Sequence, residues 1–177
     1  MQYGICNLSI VPMRSNAEHG SEMVSQVLYG EHFKILEKRK LWCKIRMALD
    51  NCEGWILNNQ LFEISDKNYG KIQASKSFRC VADLVSFIET EDEILIPVVI
   101  GSTTSNTSFL RHKFEGSISG EGLDKTNLIN TALLYLNAPY LWGGRTPFGL
   151  DDAGFVQIVY KLNGCRLKRK ANEQSTE

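Results

Sequence analysis

The 177-residue sequence lacks a net charge, a long apolar run and closely paired cysteines. Lys plus Arg total 20 and Asp plus Glu total 20, so the formal charge is zero and no overall attraction to nucleic acid is expected. No stretch of 18 apolar residues occurs, which argues against a membrane-spanning helix. We therefore expect neither a nucleic-acid partner nor a membrane partner.

The cysteines and histidines are few and scattered. An odd number of cysteines without a CxxC motif favours buried, reduced thiols over a disulfide framework; they are Cys6, Cys43, Cys52, Cys80 and Cys165. The three histidines, His19, His32 and His112, lie far apart and suggest no metal cluster. We expect no metal and no cofactor.

The N-terminal residues MQYGICNLSIVPMR do not have a basic region followed by an apolar one, as a signal peptide would. This predicts a cytoplasmic protein, whereas a trimmed N-terminus would allow a periplasmic or cell-envelope location. Near the other end, the basic run from Arg166 to Lys170 is interpreted as a solvated segment.

Residues 1–64 alternate apolar and polar side chains between short turns, which predicts a compact β-barrel. Arg14 is followed in order by VLYGE, KLWCKIR and EGWI, and this order resembles a bacterial SH3-like (SH3b) domain. Trp42 and Trp55 either pack in the core, which we favour, or line a ligand groove.

Residues 65–121 are less regular, and we interpret them as a second small β-domain. The segment SFRCVADLVSFI is compatible with a helix or with strands. EILIPVVIG is rich in β-branched residues and is bounded by Pro97 and Gly101, which favours a buried strand.

From Asp124 the pattern becomes helical. A first amphipathic helix is predicted from an Asp124 N-cap to Asn137, with apolar residues at Leu128, Ile129, Ala132, Leu133 and Leu136. After the loop YLWGGRTPFGL, a second helix is predicted from Asp152 to Asn163, with Phe155, Ile158, Val159 and Leu162 on one face.

The run APYLWGGRTPFGLD followed by GFVQIVYKLNG resembles the NlpC/P60 cysteine peptidases. It is most similar to the branch with two N-terminal SH3b domains that cleaves γ-D-glutamyl–diamino-acid bonds in cell-wall peptides. The resemblance implies an α+β chain with an SH3b domain at 1–64, a second SH3b-like domain at 65–121, and the helical N-terminal part of a papain-like NlpC/P60 domain at 122–177.

In that family the loop leads to Asp-Cys-Ser-Gly, and the thiol is activated by the helix dipole and a histidine base. Here Asp151 matches the Asp, but Asp152 stands at the nucleophile position and Ala153 at the Ser. Only 13 residues follow Gly164 and none is His. The resemblance therefore implies a wall-peptide hydrolysis or recycling protein that is catalytically inactive as given.

Two alternatives to this interpretation concern the role of the chain, and a third concerns its two adjacent carboxylates. The chain is either an SH3b-based binding or regulatory module for wall peptides or a protein partner, or an intact peptidase represented by a truncated and altered sequence. Asp151 and Asp152 diverge by about 100° at a helix start, so a catalytic pair is less favoured than capping and solvation.

The resemblance also implies a binding pocket for a wall peptide with a free N-terminal L-Ala. Its residues are Asp151 as the ammonium partner, Tyr140 and Trp142 as walls, and Glu22 as the acidic residue from the first SH3b domain. A buried ammonium needs carboxylate partners. The alternative is that Asp151 only caps the helix and the two aromatic residues only pack.

The apolar face of the second helix needs a cover. It can pack on the first helix, on the SH3b domains or on a partner chain, and CRLKRKANEQSTE after it has the composition of a disordered tail. We predict that a second molecule covers this face or that it is loosely ordered, which implies a homodimer through the third domain.

Overall fold

A computed structural model describes residues 1–75, 77–120 and 125–176. Its strands are β1 (Gln2–Ile5), β2 (Ile10–Arg14), β3 (Met23–Leu28), β4 (His32–Lys38), β5 (Trp42–Met47), β6 (Glu53–Leu57), β7 (Phe62–Ile64), β8 (Cys80–Val81), β9 (Val85–Glu89), β10 (Leu95–Val99), β11 (Lys113–Phe114), β12 (Ile118–Ser119), β13 (Arg145–Thr146) and β14 (Gly149–Leu150). Its α-helices are α1 (Asp66–Ala74), α2 (Lys125–Leu133), α3 (Asp152–Leu162) and α4 (Ala171–Gln174). Within the described residues, no helix has the length and apolar character to cross a bilayer.

Residues 1–64, the first β-domain, form one antiparallel sheet in the order β3-β2-β6-β5-β4-β1-β7. Its interior comes from alternate residues along each strand, such as Val11, Phe33 and Ile45, which are fully buried. Trp42 and Trp55 are 8% and 6% exposed. This burial matches the packing interpretation rather than an open groove.

Residues 65–120 are rich in strands, as predicted, but begin with a helix that the sequence reasoning missed. The Ser65 side chain accepts a hydrogen bond from the backbone N–H of Asn68 and caps α1. The segment that was compatible with helix or strand forms β8 and β9, and EILIPVVIG supplies β10. These strands lie in a three-stranded sheet, β10-β9-β11, and a two-stranded sheet, β12-β8. Their SH3-like character stays a prediction.

The first helix of the third part is shorter than predicted. Helix α2 covers Lys125–Leu133, and turns follow it to Asn137, whose φ of 65° is left-handed. The expected N-cap, Asp124, lies outside the described residues. Because the chain leaves the helix at Leu133, Tyr135 turns into the core at 5% exposure. The predicted core-facing residues Ile129, Leu133 and Leu136 are instead exposed.

Helix α3 is covered by its own chain. Ile158 and Leu162 pack in a cluster with Leu28 of β3 and Ile100. A Cβ built on Gly101, whose φ is +83°, would lie 2.4 Å from Ile158 Cδ1, so the loop after β10 sits directly on the helix. The prediction that a second molecule covers this face or that it is loosely ordered is therefore wrong. The homodimer stays untested.

The C-terminal segment is folded rather than a solvated, disordered tail. Arg169, within the basic run, is 4% exposed, and residues Ala171–Gln174 form α4. Gln174 donates hydrogen bonds to the carbonyls of Ala153 and Lys168. The segment therefore packs along the start of α3.

A buried ion network ties the three parts together. The Glu31 carboxylate, just before β4, accepts hydrogen bonds from Arg145 Nη2 at 3.0 Å, Arg145 Nη1 at 3.1 Å and Lys161 Nζ at 2.6 Å. Lys161 also donates to the carbonyl of Gly101 at 2.8 Å. Burial alone would raise the pKa of Glu31, but the two cations lower it to about 2. The carboxylate is therefore charged at neutral pH.

Glu31→Gln should lower the free energy of unfolding at pH 7 by about 3–5 kcal/mol, because two buried cations lose their counter-charge. The matched control is Glu53→Gln, since Glu53 also pairs with two cations, Lys44 and Arg46, but is partly exposed. Its loss should stay below about 1 kcal/mol. Urea unfolding of both variants measures the difference.

The stability difference between wild type and Glu31→Gln should depend on pH. A carboxyl whose pKa falls from 4.5 to about 2 on folding stabilises the protein above pH 4.5, and this contribution is lost as the pH falls towards 2. The gap between wild type and Glu31→Gln should narrow over that window. A gap that stays constant from pH 7 to pH 2.5 would contradict the network.

Ile158→Ala should cost about 2–5 kcal/mol of unfolding free energy, because Ile158 is fully buried beneath Gly101 and Leu28. The matched control is Ile129→Ala on α2, where the side chain is 63% exposed and the loss should be below about 0.5 kcal/mol. Equal losses in urea unfolding would mean that α3 is not covered as described.

Candidate functional site

The loop between α2 and α3 is held close to the first β-domain. A Cβ on Gly143, whose φ is +77°, would lie 2.2 Å from the Met23 carbonyl of β3, so only glycine allows this approach. The loop then forms the β13–β14 hairpin, in which Arg145 pairs with Leu150. A Cβ on Gly154 would lie 2.2 Å from the Gly144 carbonyl, so the first turn of α3 packs on the same loop. The WGG and Asp-x-x-Gly patterns are thus close-packing requirements.

Asp151 is the N-cap of α3 and is also an ion-pair partner. Its carboxylate accepts hydrogen bonds from the backbone N–H groups of Gly154 at 2.7 Å and Gly143 at 2.9 Å. Arg169 Nη1 and Nη2 donate to the two oxygens at 3.0 and 2.8 Å. A carboxylate has about four acceptor positions, and all four are used within the chain.

Burial alone would raise the pKa of Asp151, but the Arg169 guanidinium and the two backbone amides hold it below its ordinary value. Asp151 is therefore a carboxylate at neutral pH. Its acceptor positions are saturated by its own chain, so these contacts fit the capping alternative, and the ammonium-binding role stays a prediction.

Arg169 is a site residue that sequence reasoning missed. Besides its two bonds to Asp151, its Nε donates to the Ser25 hydroxyl of β3 at 3.1 Å. One side chain therefore joins the first β-domain to the start of α3. In the sequence it stands between Lys168 and Lys170, and nothing local marks it as the buried member of the run.

All four predicted binding residues surround one cavity, which we call the Trp142 cavity. Its volume is about 350 Å³, and it is lined by Glu22, Tyr140, Trp142 and Asp151 together with Val24, Asp152, Ala153, Arg169, Lys170 and Ala171. Trp142 Nε1 donates a hydrogen bond to Glu22 Oε1 at 2.5 Å, so the loop and the first β-domain share the wall. Tyr140 and Trp142 are 65% and 59% exposed, which leaves aromatic faces open to a ligand.

Asp152, the first residue of α3, also lines this cavity, and it is exposed. No cysteine or histidine of residues 1–75, 77–120 or 125–176 lines it. Burial raises the pKa of Cys6 to about 12 and those of Cys43 and Cys52 to about 11, the opposite of an activated thiolate. Burial also lowers the pKa of His32 to about 4. The arrangement offers carboxylates, cations and aromatic faces rather than a thiol–imidazole pair.

Asp151 and Asp152 do not form a catalytic pair of facing carboxylates. The Asp151 carboxylate is saturated by Arg169 and the backbone amides of Gly143 and Gly154, whereas the Asp152 side chain has no hydrogen bond among the described residues. The two groups therefore have separate surroundings, as the divergence of adjacent helix residues predicts. The described part of the chain has no cluster of three His, Cys, Asp or Glu residues that could hold a metal ion.

Family models match both ends of the chain. Residues 13–61 match the bacterial dipeptidyl-peptidase Sh3 domain, and residues 137–177 match the NlpC/P60 family. The chain is 41% identical over 186 residues to a gamma-D-glutamyl-L-lysine dipeptidyl-peptidase of Bacillus cereus, covering 89% of this chain and 55% of that protein. It is 28% identical over 179 residues to dipeptidyl-peptidase 6 of Lysinibacillus sphaericus, covering 85% of this chain and 66% of that protein.

A solved structure shares the fold. An NlpC/P60 family protein from Bacillus cereus superposes with a TM-score of 0.75 at 15% identity, covering 99% of this chain and 77% of that one. At this identity the likeness concerns the fold alone. The chain spans between 55% and 66% of the length of the two curated relatives named above.

Asp151→Asn should lower the unfolding free energy at pH 7 by about 1–3 kcal/mol, because Arg169 keeps its buried charge but loses the charged partner. The matched control is the adjacent Asp152→Asn, which breaks no described contact and should change stability by less than about 0.5 kcal/mol. Thermal unfolding measures both.

The Asp151 effect should also depend on pH. Its pKa lies below its ordinary 3.8 in the folded protein, so the stabilisation is complete above that pH and disappears as the pH falls further. If Asp151→Asn matches wild type at pH 7, the carboxylate is not the structural anchor described.

Proposed function

We propose that this chain, which belongs to the NlpC/P60 family and carries a bacterial dipeptidyl-peptidase SH3 domain, binds cell-wall-type peptides in the Trp142 cavity without hydrolysing them. The observation that carries the proposal is the convergence of Glu22, Tyr140, Trp142 and Asp151 on one cavity at the start of α3. The related dipeptidyl-peptidase from Bacillus cereus is named for a gamma-D-glutamyl-L-lysine bond. The family resemblance adds a free N-terminal L-Ala, so a peptide with that residue followed by γ-linked D-Glu is the ligand to test.

Glu22 is the carboxylate best able to receive the ligand's ammonium. One of its oxygens is bonded to Trp142 Nε1, which fixes its position, and the other remains available. The Asp151 carboxylate adds negative charge nearby but has no free acceptor position. The open faces of Tyr140 and Trp142 add cation–π attraction for an ammonium group.

Hydrolysis is not expected because the cavity presents Asp152 where the family resemblance places a cysteine. A carboxylate is compatible with a helix N-terminus electrostatically, but it is a poor nucleophile towards an amide. No histidine in the described parts of the chain lines the cavity to act as a base. Asp152→Cys alone should therefore not give turnover.

The proposal retains the finer assignment of residues 65–121 as a second SH3-like domain. It is supported by the short antiparallel strands β8 to β12. A role of the SH3 domains as the recognition unit for a wall peptide or a protein partner is the alternative. Trp42 and Trp55 are buried, so the first β-domain by itself offers fewer aromatic faces to a ligand than the Trp142 cavity does.

Calorimetry with L-Ala-γ-D-Glu-L-Lys tests the proposal. The free peptide should bind, its N-acetylated form should bind more weakly, and Glu22→Gln should weaken the free peptide about three- to fivefold, as expected for a partly exposed ion pair. Glu18→Gln, an exposed neighbour outside the cavity, is the control and should bind like wild type.

Mass spectrometry of the same mixtures should detect no release of L-Ala-D-Glu, from wild type or from Asp152→Cys. Equal heats from free and acetylated peptide, or none from either, would remove the peptide-binding proposal. Catalytic product from the wild type in excess of the protein would remove the non-hydrolytic part of it.

A further inference from the structure

Lys170 is a cation in the Trp142 cavity that the proposed function does not use. It lines the cavity, is exposed, and forms no ion pair in the described part of the chain. The neighbouring cation Arg169 is different, because Asp151, Ser25 and the Gly144 carbonyl take up its donors. Lys170 is therefore the cavity's available positive charge.

The carboxylates near Lys170 do not neutralise it. Lys170 also borders a second cavity, whose acidic lining residues are Asp50, Glu53 and Glu173. Asp50 is buried and accepts hydrogen bonds from the backbone N–H of Cys52 and from Gln157 Nε2 at 2.8 Å each. Glu53 is already paired with Lys44 at 2.9 Å and Arg46 at 2.6 Å. Neither Glu173 nor the two exposed carboxylates of the Trp142 cavity, Glu22 and Asp152, lies within ion-pair distance of it among the described contacts.

The cavity thus presents both signs of charge separately. The Asp151–Arg169 pair is internally balanced, which leaves Glu22 and Asp152 as negative groups and Lys170 as a positive one. A ligand that carried only a carboxylate would be repelled by Glu22 and Asp152. A ligand that carries an ammonium and a carboxylate a short distance apart matches this arrangement.

A γ-linked glutamate at the second position has this chemistry. Because its side-chain carboxyl forms the peptide bond, its α-carboxylate stays free, one residue away from the N-terminal ammonium. Conversion of that group to a carboxamide removes its charge and leaves the rest of the peptide unchanged.

We propose that Lys170 binds the free α-carboxylate of a γ-linked glutamate at the ligand's second position and so selects the acid over its α-amide. This inference rests on the proposed peptide-binding function. It names Lys170 as a specificity-determining residue, and the chemical distinction it makes is carboxylate against carboxamide.

Calorimetry at low salt with two peptides tests the inference: L-Ala-γ-D-Glu-L-Lys and the same peptide with the glutamate α-carboxyl amidated. Wild type should bind the acid about three- to fivefold more tightly, the range of a partly exposed ion pair, and the preference should shrink at 0.5 M salt. Lys170→Met should abolish the preference, whereas Lys170→Arg should keep it.

Lys67→Met on α1 is the control, because it removes the same charge outside the cavity and should leave the preference intact. Similar unfolding curves for the Lys170 variants establish that they are folded. If wild type binds the two peptides equally, or if Lys170→Met keeps the preference, the inference is overturned while peptide binding stands. If neither peptide binds, the proposed function fails, and the Lys170 role fails with it.

Discussion

The buried Glu31 carboxylate is the interaction on which the arrangement of the chain depends. Removing a carboxylate and two cations from water is costly, and such groups are retained only where each is paired and hydrogen-bonded. Glu31 meets this condition only when Arg145 of the loop and Lys161 of α3 both reach the first β-domain. The loop, the helix and the sheet are therefore held in one relative position, and the Trp142 cavity forms between them.

A second ion pair, between Arg169 and Asp151, holds the first β-domain against α3 at the cavity itself. Arg169 links Ser25 of β3 to Asp151 at the start of α3, and Asp50 accepts a hydrogen bond from Gln157 in the middle of that helix. The carboxylate that the family resemblance assigns to a ligand is thus committed to the scaffold. The groups that the scaffold leaves open in the cavity are the indole-bound Glu22, the exposed Tyr140 and Lys170, and the proposed peptide binding relies on these.

Local patterns predicted the strands of residues 1–64, β10 and helix α3, because alternation and helical periodicity report which face is buried. The four residues that line the cavity were named by the resemblance to the NlpC/P60 peptidases, not by any local pattern. Local patterns did not identify Arg169 among neighbouring basic residues, nor the cover over Ile158. Contacts of this kind join residues far apart in sequence, and no local period encodes them: Arg169 and Ser25 are separated by 144 positions, and Glu31 and Lys161 by 130. The exposed Leu136 shows the converse, since the end of α2 at Leu133 altered the face that periodicity assigned.

The close approach of Gly143 to the Met23 carbonyl bears on modularity. A domain that contacts its neighbour through few residues can be exchanged without altering the neighbour's surface. Here one wall of the cavity comes from the SH3 domain through Glu22 and Val24, and the other comes from the loop and α3. Neither half encloses the cavity by itself. Replacing residues 1–64 alone would therefore remove one wall of the cavity together with Glu31, the centre of the buried ion network.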